Sequence, residues 1–275
     1  MRWTPGGMSR NVEDRRGSVV RRGAGIGLGG LLLLFLLTLV TGRDFMSLAN
    51  LGGGQVAVQP QSGPVASSPE EDQLAQFVSF VLDDAQATWK QVLPGQYRES
   101  KVVLFRDLVQ SACGMAQSAT GPFYCPADER VYIDLGFYDE LKRRFGAPGD
   151  FAQAYVLAHE IGHHVQKVLG IEAQVRQLQQ SRPGLANQLS VRMELQADCF
   201  AGVWGHSTAQ RQILERGDVE EGLNAAAAIG DDRIQKMQTG FVRPDSFTHG
   251  SSAQRVEWFK RGLQTGDVNA CDTVQ

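Results

Sequence analysis

The segment Ala158-His159-Glu160-Ile161-Gly162-His163-His164 sets two imidazoles four residues apart and puts a carboxylate directly after the first. On a helix, His159 and His163 stand one turn apart on one face, so both can aim a ring nitrogen at a Zn2+ ion about 2.0 to 2.1 Å away. Glu160 lies beside them and off the metal. Zinc lowers the pKa of a bound water to around 7, and a carboxylate so placed takes its proton, leaving a nucleophile able to attack an amide carbonyl. His164 is turned about 140° from His159 on a 3.6-residue helix, and His206 has no partner pattern. Both are expected to serve structure.

A catalytic zinc needs a third protein ligand and an open fourth position. The long form of the motif, with Gly and His further along, is absent, because Gln166 and Leu169 occupy those places. Downstream, Glu194 and Asp198 in Glu194-Leu195-Gln196-Ala197-Asp198-Cys199 share one face of a second expected helix. Two like charges at that spacing cost about 0.2 to 0.5 kcal/mol unless something compensates. Zinc and a ligand histidine would compensate both. Glu194 is therefore expected to bind the metal, and Asp198 to accept the second ring N–H of His159 or His163. Glu172, Asp198 and His249 are next in line as third ligand. For the oxyanion formed during attack, His249 in Thr248-His249-Gly250 is the leading donor, with Tyr155 and Arg255 as alternatives.

These segments, with Gly121-Pro122-Phe123-Tyr124-Cys125-Pro126, Gly230-Asp231-Asp232-Arg233 and Phe247-Thr248-His249-Gly250, closely resemble the bacterial family described as "putative neutral zinc metallopeptidase". The resemblance covers nearly the whole chain. More distantly, the site is similar to the Glu-zincin peptidases of thermolysin type. That likeness implies Glu194 as third ligand and Asp198 as the residue behind it.

The elements that must position these residues follow from pattern. A helix is expected from Glu70, with Leu74, Phe77, Val78, Val81 and Leu82 at spacings of three and four, stopping near Pro94-Gly95. Residues 101–105 and 131–135 read as short strands, with turn signals between them. Helices are expected over 137–145 and 150–169, with Asp150 as N-cap and Gly170 as stop. The remainder reads as mainly helical. The expected class is α+β: a zincin-like domain at 70–275 with a small sheet, an active-site helix and a helical C-terminal lobe. A substrate strand could pair along 131–135.

With 275 residues, 27 Lys+Arg against 30 Asp+Glu and a net charge of −3, the chain is no nucleic-acid binder by charge. The charge is uneven. Residues 1–69 hold seven Arg and three acids, +4, leaving −7 for the rest. Residues 23–42 are twenty residues without a charge, enough to span about 30 Å of hydrocarbon. A basic tail at 1–22, with Arg2, Arg10, Arg15, Arg16, Arg21 and Arg22, precedes this run, and an uncharged Gly/Pro/Ser-bearing linker closes the stretch 43–69. The positive-inside bias then implies a single-pass anchor in a bacterial cytoplasmic membrane, with the catalytic domain exported. A cleaved signal peptide, ending at Ser47-Leu48-Ala49, is the rival. Outside the cytoplasm the four cysteines are expected to pair. Of three pairings, Cys113 with Cys125 and Cys199 with Cys271 would make one local loop and one C-terminal staple.

The expected function is a membrane-anchored zinc endopeptidase acting on peptides or proteins. The competing class is a non-catalytic, membrane-tethered binding protein in which zinc closes the fold. Oligomeric state is not readable from the chain.

Overall fold

The computed structural model describes residues 1–17, 67–118 and 121–274. The apolar run at 23–42, the stretch 43–66 and the alternative cleavage pattern at 47–49 lie outside the described residues. Among the described residues no helix is long and apolar enough to cross a membrane. Residues 1–16 and 66–275 form one compact unit.

Helix α1 (Pro69–Val92) begins where its chemistry dictates. The Ser68 hydroxyl accepts from the Glu71 N–H, Pro69 opens the first turn, and Glu70, Glu71 and Asp72 meet the positive end of the helix dipole. The expected linker therefore ends before Ser68. The buried face, Phe77, Val78, Val81, Leu82, Ala85 and Trp89, keeps the helical spacing seen in the sequence.

The main sheet has four strands: β1 (Val12–Asp14), β2 (Lys101–Phe105), β6 (Arg130–Asp134) and β5 (Phe123–Cys125), in that order. β1, β2 and β6 run parallel, while β5 is antiparallel to β6. β2 and β6 are buried along nearly their whole length, as parallel central strands are. A separate hairpin joins β3 (Leu108–Ser111) to β4 (Gly114–Gln117).

Two expectations need correction. The strand near 131–135 offers no edge to a substrate, because β6 is paired on both sides; among the described residues the free edge on that flank is β5. The described part of the expected basic tail is not a tail. Val12, Glu13 and Asp14 pair with Val102, Val103 and Leu104, Trp3 packs edge-on against Phe77 with ring centroids 5.2 Å apart, and Met1 is buried with its amino group 2.7 Å from Asp150. Three residues are too few to show an alternating pattern, and their partners lie about ninety positions away.

The helical lobe follows. α2 (Gly136–Arg143) leads to α3 (Asp150–Val168), then α4 (Ile171–Ser181), α5 (Ala186–Gln210), α6 (Asp218–Ala228), α7 (Asp231–Thr239) and α8 (Ser252–Thr265). Asp150 is the first residue of α3 rather than its cap; the cap is Gly149, and the Phe151 N–H is taken instead by the Glu221 carboxylate at 3.2 Å. Cys113–Cys125 and Cys199–Cys271 are both disulfide-bonded. The first ties the hairpin turn to β5, and the second ties α5 to the C-terminal turn.

Candidate metal centre

The face of α3 that carries His159 and His163 is brought to α5 by a glycine. A Cβ on Gly162 would stand 2.8 Å from the Ala197 carbonyl oxygen, closer than real side chains come, so only glycine lets the two backbones cross at this distance. Gly162 precedes His163, and Ala197 lies between Glu194 and Asp198. Contact of the backbones at these two residues therefore sets both acidic side chains against both imidazoles.

His159 Nε2 is 3.3 Å from Glu194 Oε2, and His163 Nε2 is 3.5 Å from Glu194 Oε1. Among the described residues, His159, His163 and Glu194 can each turn a ligand atom to within 4.8 Å of the other two. Zinc bonds of 2.0 to 2.1 Å at tetrahedral angles require ligand atoms about 3.3 to 3.4 Å apart, so the separations fit the ion. The second nitrogens fit as well. His159 Nδ1 lies 2.9 Å from Asp198 Oδ1, and His163 Nδ1 lies 2.8 Å from Gln166 Oε1. Acceptors there place the proton on Nδ1 and leave Nε2 as the ligand. The buried carboxylates and imidazoles also shift one another's titration. Burial opposes charge on His159, yet Asp198 and Glu194 outweigh it and hold its pKa up at about 9. Burial likewise opposes charge on Glu194, but His163, His159 and Arg255 keep its carboxyl far below the ordinary range.

Gln166 had no role in the sequence reading. Its amide is fixed by donation to the Met193 carbonyl at 2.7 Å and to Gln196 Oε1 at 3.1 Å, which leaves Oε1 as the acceptor for His163. Its place three residues after His163, on the same helix face, was the only available signal.

Asp198 is wholly buried and heavily engaged. Besides His159, it accepts from the Tyr155 hydroxyl and from both arms of Arg255, at 2.8 Å to Nε and 2.9 Å to Nη2. Tyr155 is thus committed to Asp198 behind the ligands, which removes it as an oxyanion donor. Arg255 is 2% exposed, lies 3.2 Å from His159 Nδ1 and 4.0 Å from Glu194, and donates to the Ile229 carbonyl at 3.3 Å. It is brought there by two more glycines. A Cβ at Gly262 would lie 1.9 Å from the Cys199 carbonyl oxygen and one at Gly202 2.2 Å from that of Phe259, so α8 lies directly on α5.

The ligands open into a cleft of about 560 Å3, lined by Glu160, His249 and Arg255, with Phe137, Phe145, Val156 and Met237 among its apolar walls and Phe123 and Tyr124 of β5 at one side. Glu160 is 8% exposed. His249 is not among the ligands. Its Nδ1 lies 3.2 Å from Asp231 Oδ1, while Asp231 Oδ2 accepts the backbone N–H of Thr248, His249 and Gly250 at 2.7, 2.6 and 3.1 Å. The Asp231 contact raises the pKa of His249. Glu172 lines the cleft but is paired with Lys167 and Arg176. His164 and His206 lie outside the His159–His163–Glu194 cluster: His164 joins Tyr124 of β5 at 3.0 Å to the Arg98 carbonyl at 2.7 Å, and His206 bonds the Leu263 carbonyl at 2.8 Å.

The sequence profile of the family described as "Putative neutral zinc metallopeptidase" matches residues 1–274. The chain belongs to that family. It is 54% identical over 284 residues to the uncharacterized protein YpfJ of Escherichia coli (strain K12), covering 99% of this chain and 98% of that protein. It is also 47% identical over 198 residues to the uncharacterized protein Rv2575 of Mycobacterium tuberculosis (strain ATCC 25618 / H37Rv), covering 68% of this chain and 66% of that one. No solved structure matches the chain.

Proposed function

We propose that the chain is a zinc-dependent endopeptidase of zincin-like plan, in which His159, His163 and Glu194 hold the ion and Glu160 is the general base. The observation that carries this is the ligand set: two Nε2 atoms and one carboxylate at zinc-compatible separations, opening into a cleft that Glu160 also lines. Among the described residues three candidate ligands, rather than four, gather here, which is the pattern of a catalytic site.

Zinc held there would supply Lewis acidity, able to bring the pKa of a water toward 7 and to polarise the scissile carbonyl. Glu160 takes the proton of the attacking water and passes it to the amide nitrogen as the C–N bond breaks. Asp198 and Gln166 hold the His159 and His163 rings in register. His249, its charge favoured by Asp231, donates to the oxyanion. The free edge of β5 pairs with an extended peptide in place of the strand first expected to do so, and the aromatic and aliphatic walls take its apolar side chains. Two disulfides fit an exported, oxidising compartment, and the uncharged run at 23–42 supports attachment to a bacterial cytoplasmic membrane.

Glu160→Gln tests the reading, because it preserves size and removes the base. Hydrolysis of a peptide substrate should fall about 10²- to 10⁴-fold, with zinc content and melting temperature near those of the parent. His163→Ala should lose metal and activity together. Undiminished cleavage by Glu160→Gln would remove the catalytic assignment.

A further inference from the structure

The position of β1 bears on which side of the membrane the N-terminus lies. Residues 1–16 are built into the domain that carries the metal centre. β1 adds to the sheet beside β2, the Arg15 N–H donates to the Leu104 carbonyl at 2.8 Å, and the Arg2 N–H donates to the Ile213 carbonyl at 2.8 Å. The chain leaves this domain after Arg16 and rejoins it at Ser67, and both ends meet one carboxylate. Arg16 Nη2 lies 3.1 Å and Ser67 Oγ 2.6 Å from Asp72 Oδ1.

Some of the arginines that suggested a cytoplasmic N-terminus take part in this docking. Arg16, with a side chain only 3% exposed, pairs with Asp14, Glu71 and Asp72 at 2.6, 3.5 and 3.1 Å. Arg15 pairs with Glu13 at 2.7 Å, Arg10 faces Glu99 at 3.5 Å and Arg2 faces Glu215 at 3.7 Å. Arg16 is thus a buried folding contact, while Arg2 and Arg10 make surface pairs with side chains 68% and 82% exposed, so the basic flank is in part committed to the fold rather than a free tail read by the positive-inside rule.

We infer, resting on the membrane attachment proposed above, that residues 1–16 lie on the same side of the membrane as residues 67–274. A helix crossing once separates its flanks by about 30 Å of hydrocarbon, whereas here the flanks share a sheet and a carboxylate.

The test uses the full-length chain in cells and reads no activity, so its outcome is separate from that of the peptidase proposal. All four cysteines are in disulfides, so one introduced thiol is the only free one. Thr4→Cys reports the N-terminal segment and Gln96→Cys the domain; both positions are exposed. Spheroplasts are treated with a membrane-impermeant maleimide before and after lysis. The two variants should behave alike, both labelling before lysis if the domain is exported. Both labelling only after lysis would uphold the shared side and overturn the exported location. Labelling of Gln96→Cys before lysis with Thr4→Cys labelled only afterwards would overturn the inference. A second readout is the pair Ser9→Cys with Asp83→Cys, whose parent side chains meet at 2.6 Å. In isolated membranes treated with a thiol oxidant this pair should form a disulfide that shifts gel mobility without reductant, and failure to form it would count against the shared side.

Discussion

Asp198 shows how much of the centre depends on one charge. Fully buried, it binds His159, Tyr155 and both arms of Arg255, so each partner compensates a carboxylate that water cannot reach. Removing Arg255 leaves that charge short of its cation. Arg255→Met should cost about 3 to 5 kcal/mol of stability. Arg255→Lys keeps the charge but not the fork, and should cost less while still loosening His159, seen as weaker zinc retention. Equal urea midpoints for parent and Arg255→Met would contradict this account. Asp231 governs a second local structure. Burial pushes its carboxyl up, but the His249 imidazole and the backbone N–H groups of His249 and Thr248 prevail and set it below the ordinary range. A folded pKa below the unfolded one adds stability above the unfolded value, near 4, that is lost as pH falls through the folded one. The 248–250 turn should therefore hold at neutral pH and loosen as the pH falls below about 4. Hydrogen exchange at those three amides measures it, and protection unchanged at about pH 2 would refute it.

Between elements, the centre rests on close helix crossings. α3 meets α5 at Gly162 and Ala197, and α8 meets α5 at Gly262 and Gly202. The first crossing sets the ligand separations, and the second delivers Arg255. A methyl at Gly162 must move the Ala197 backbone, and with it Glu194 and Asp198. Gly162→Ala should keep the fold yet weaken zinc binding about 10- to 100-fold, the range seen when groups supporting metal ligands are disturbed. Gly262→Ala meets backbone more closely and should cost about 3 kcal/mol or more of stability. Zinc titration and denaturant melts on the two variants separate these effects; a Gly162→Ala protein with parental zinc affinity would show that the crossing does not control the site.

For the whole molecule, the N-terminal strand is part of the fold. Deleting residues 1–16 uncovers the β2 edge, removes Trp3 from Phe77 and Phe80, and leaves Glu71 and Asp72 without Arg16. The expected result is a melting temperature lower by about 10 °C or more, at about 2 to 4 °C per kcal/mol for a domain of this size, with association through the exposed edge. A chain starting near residue 70 is therefore an incomplete domain for metal or activity measurements. An unchanged melt with monomeric behaviour would mean that β1 contributes little.

The helix carrying His159 and His163, the candidacy of Glu194 and Asp198, and the two disulfide pairs were legible in the sequence because each rests on short-range spacing or a small number of alternatives. His159 and His163 share a face whenever the segment is helical, and Glu194 and Asp198 do so on theirs. Tertiary structure decided the rest: that Asp198 serves His159 while Gln166 serves His163, that Arg255 clamps Asp198, that Asp231 orients His249, that β5 is the free edge, and that residues 12–14 enter the sheet. Arg255 and Asp198 are 57 positions apart, and Asp14 and Leu104 are 90. Contacts at such separations depend on how closely helices cross and which strand takes an edge, and no local pattern of side chains encodes either.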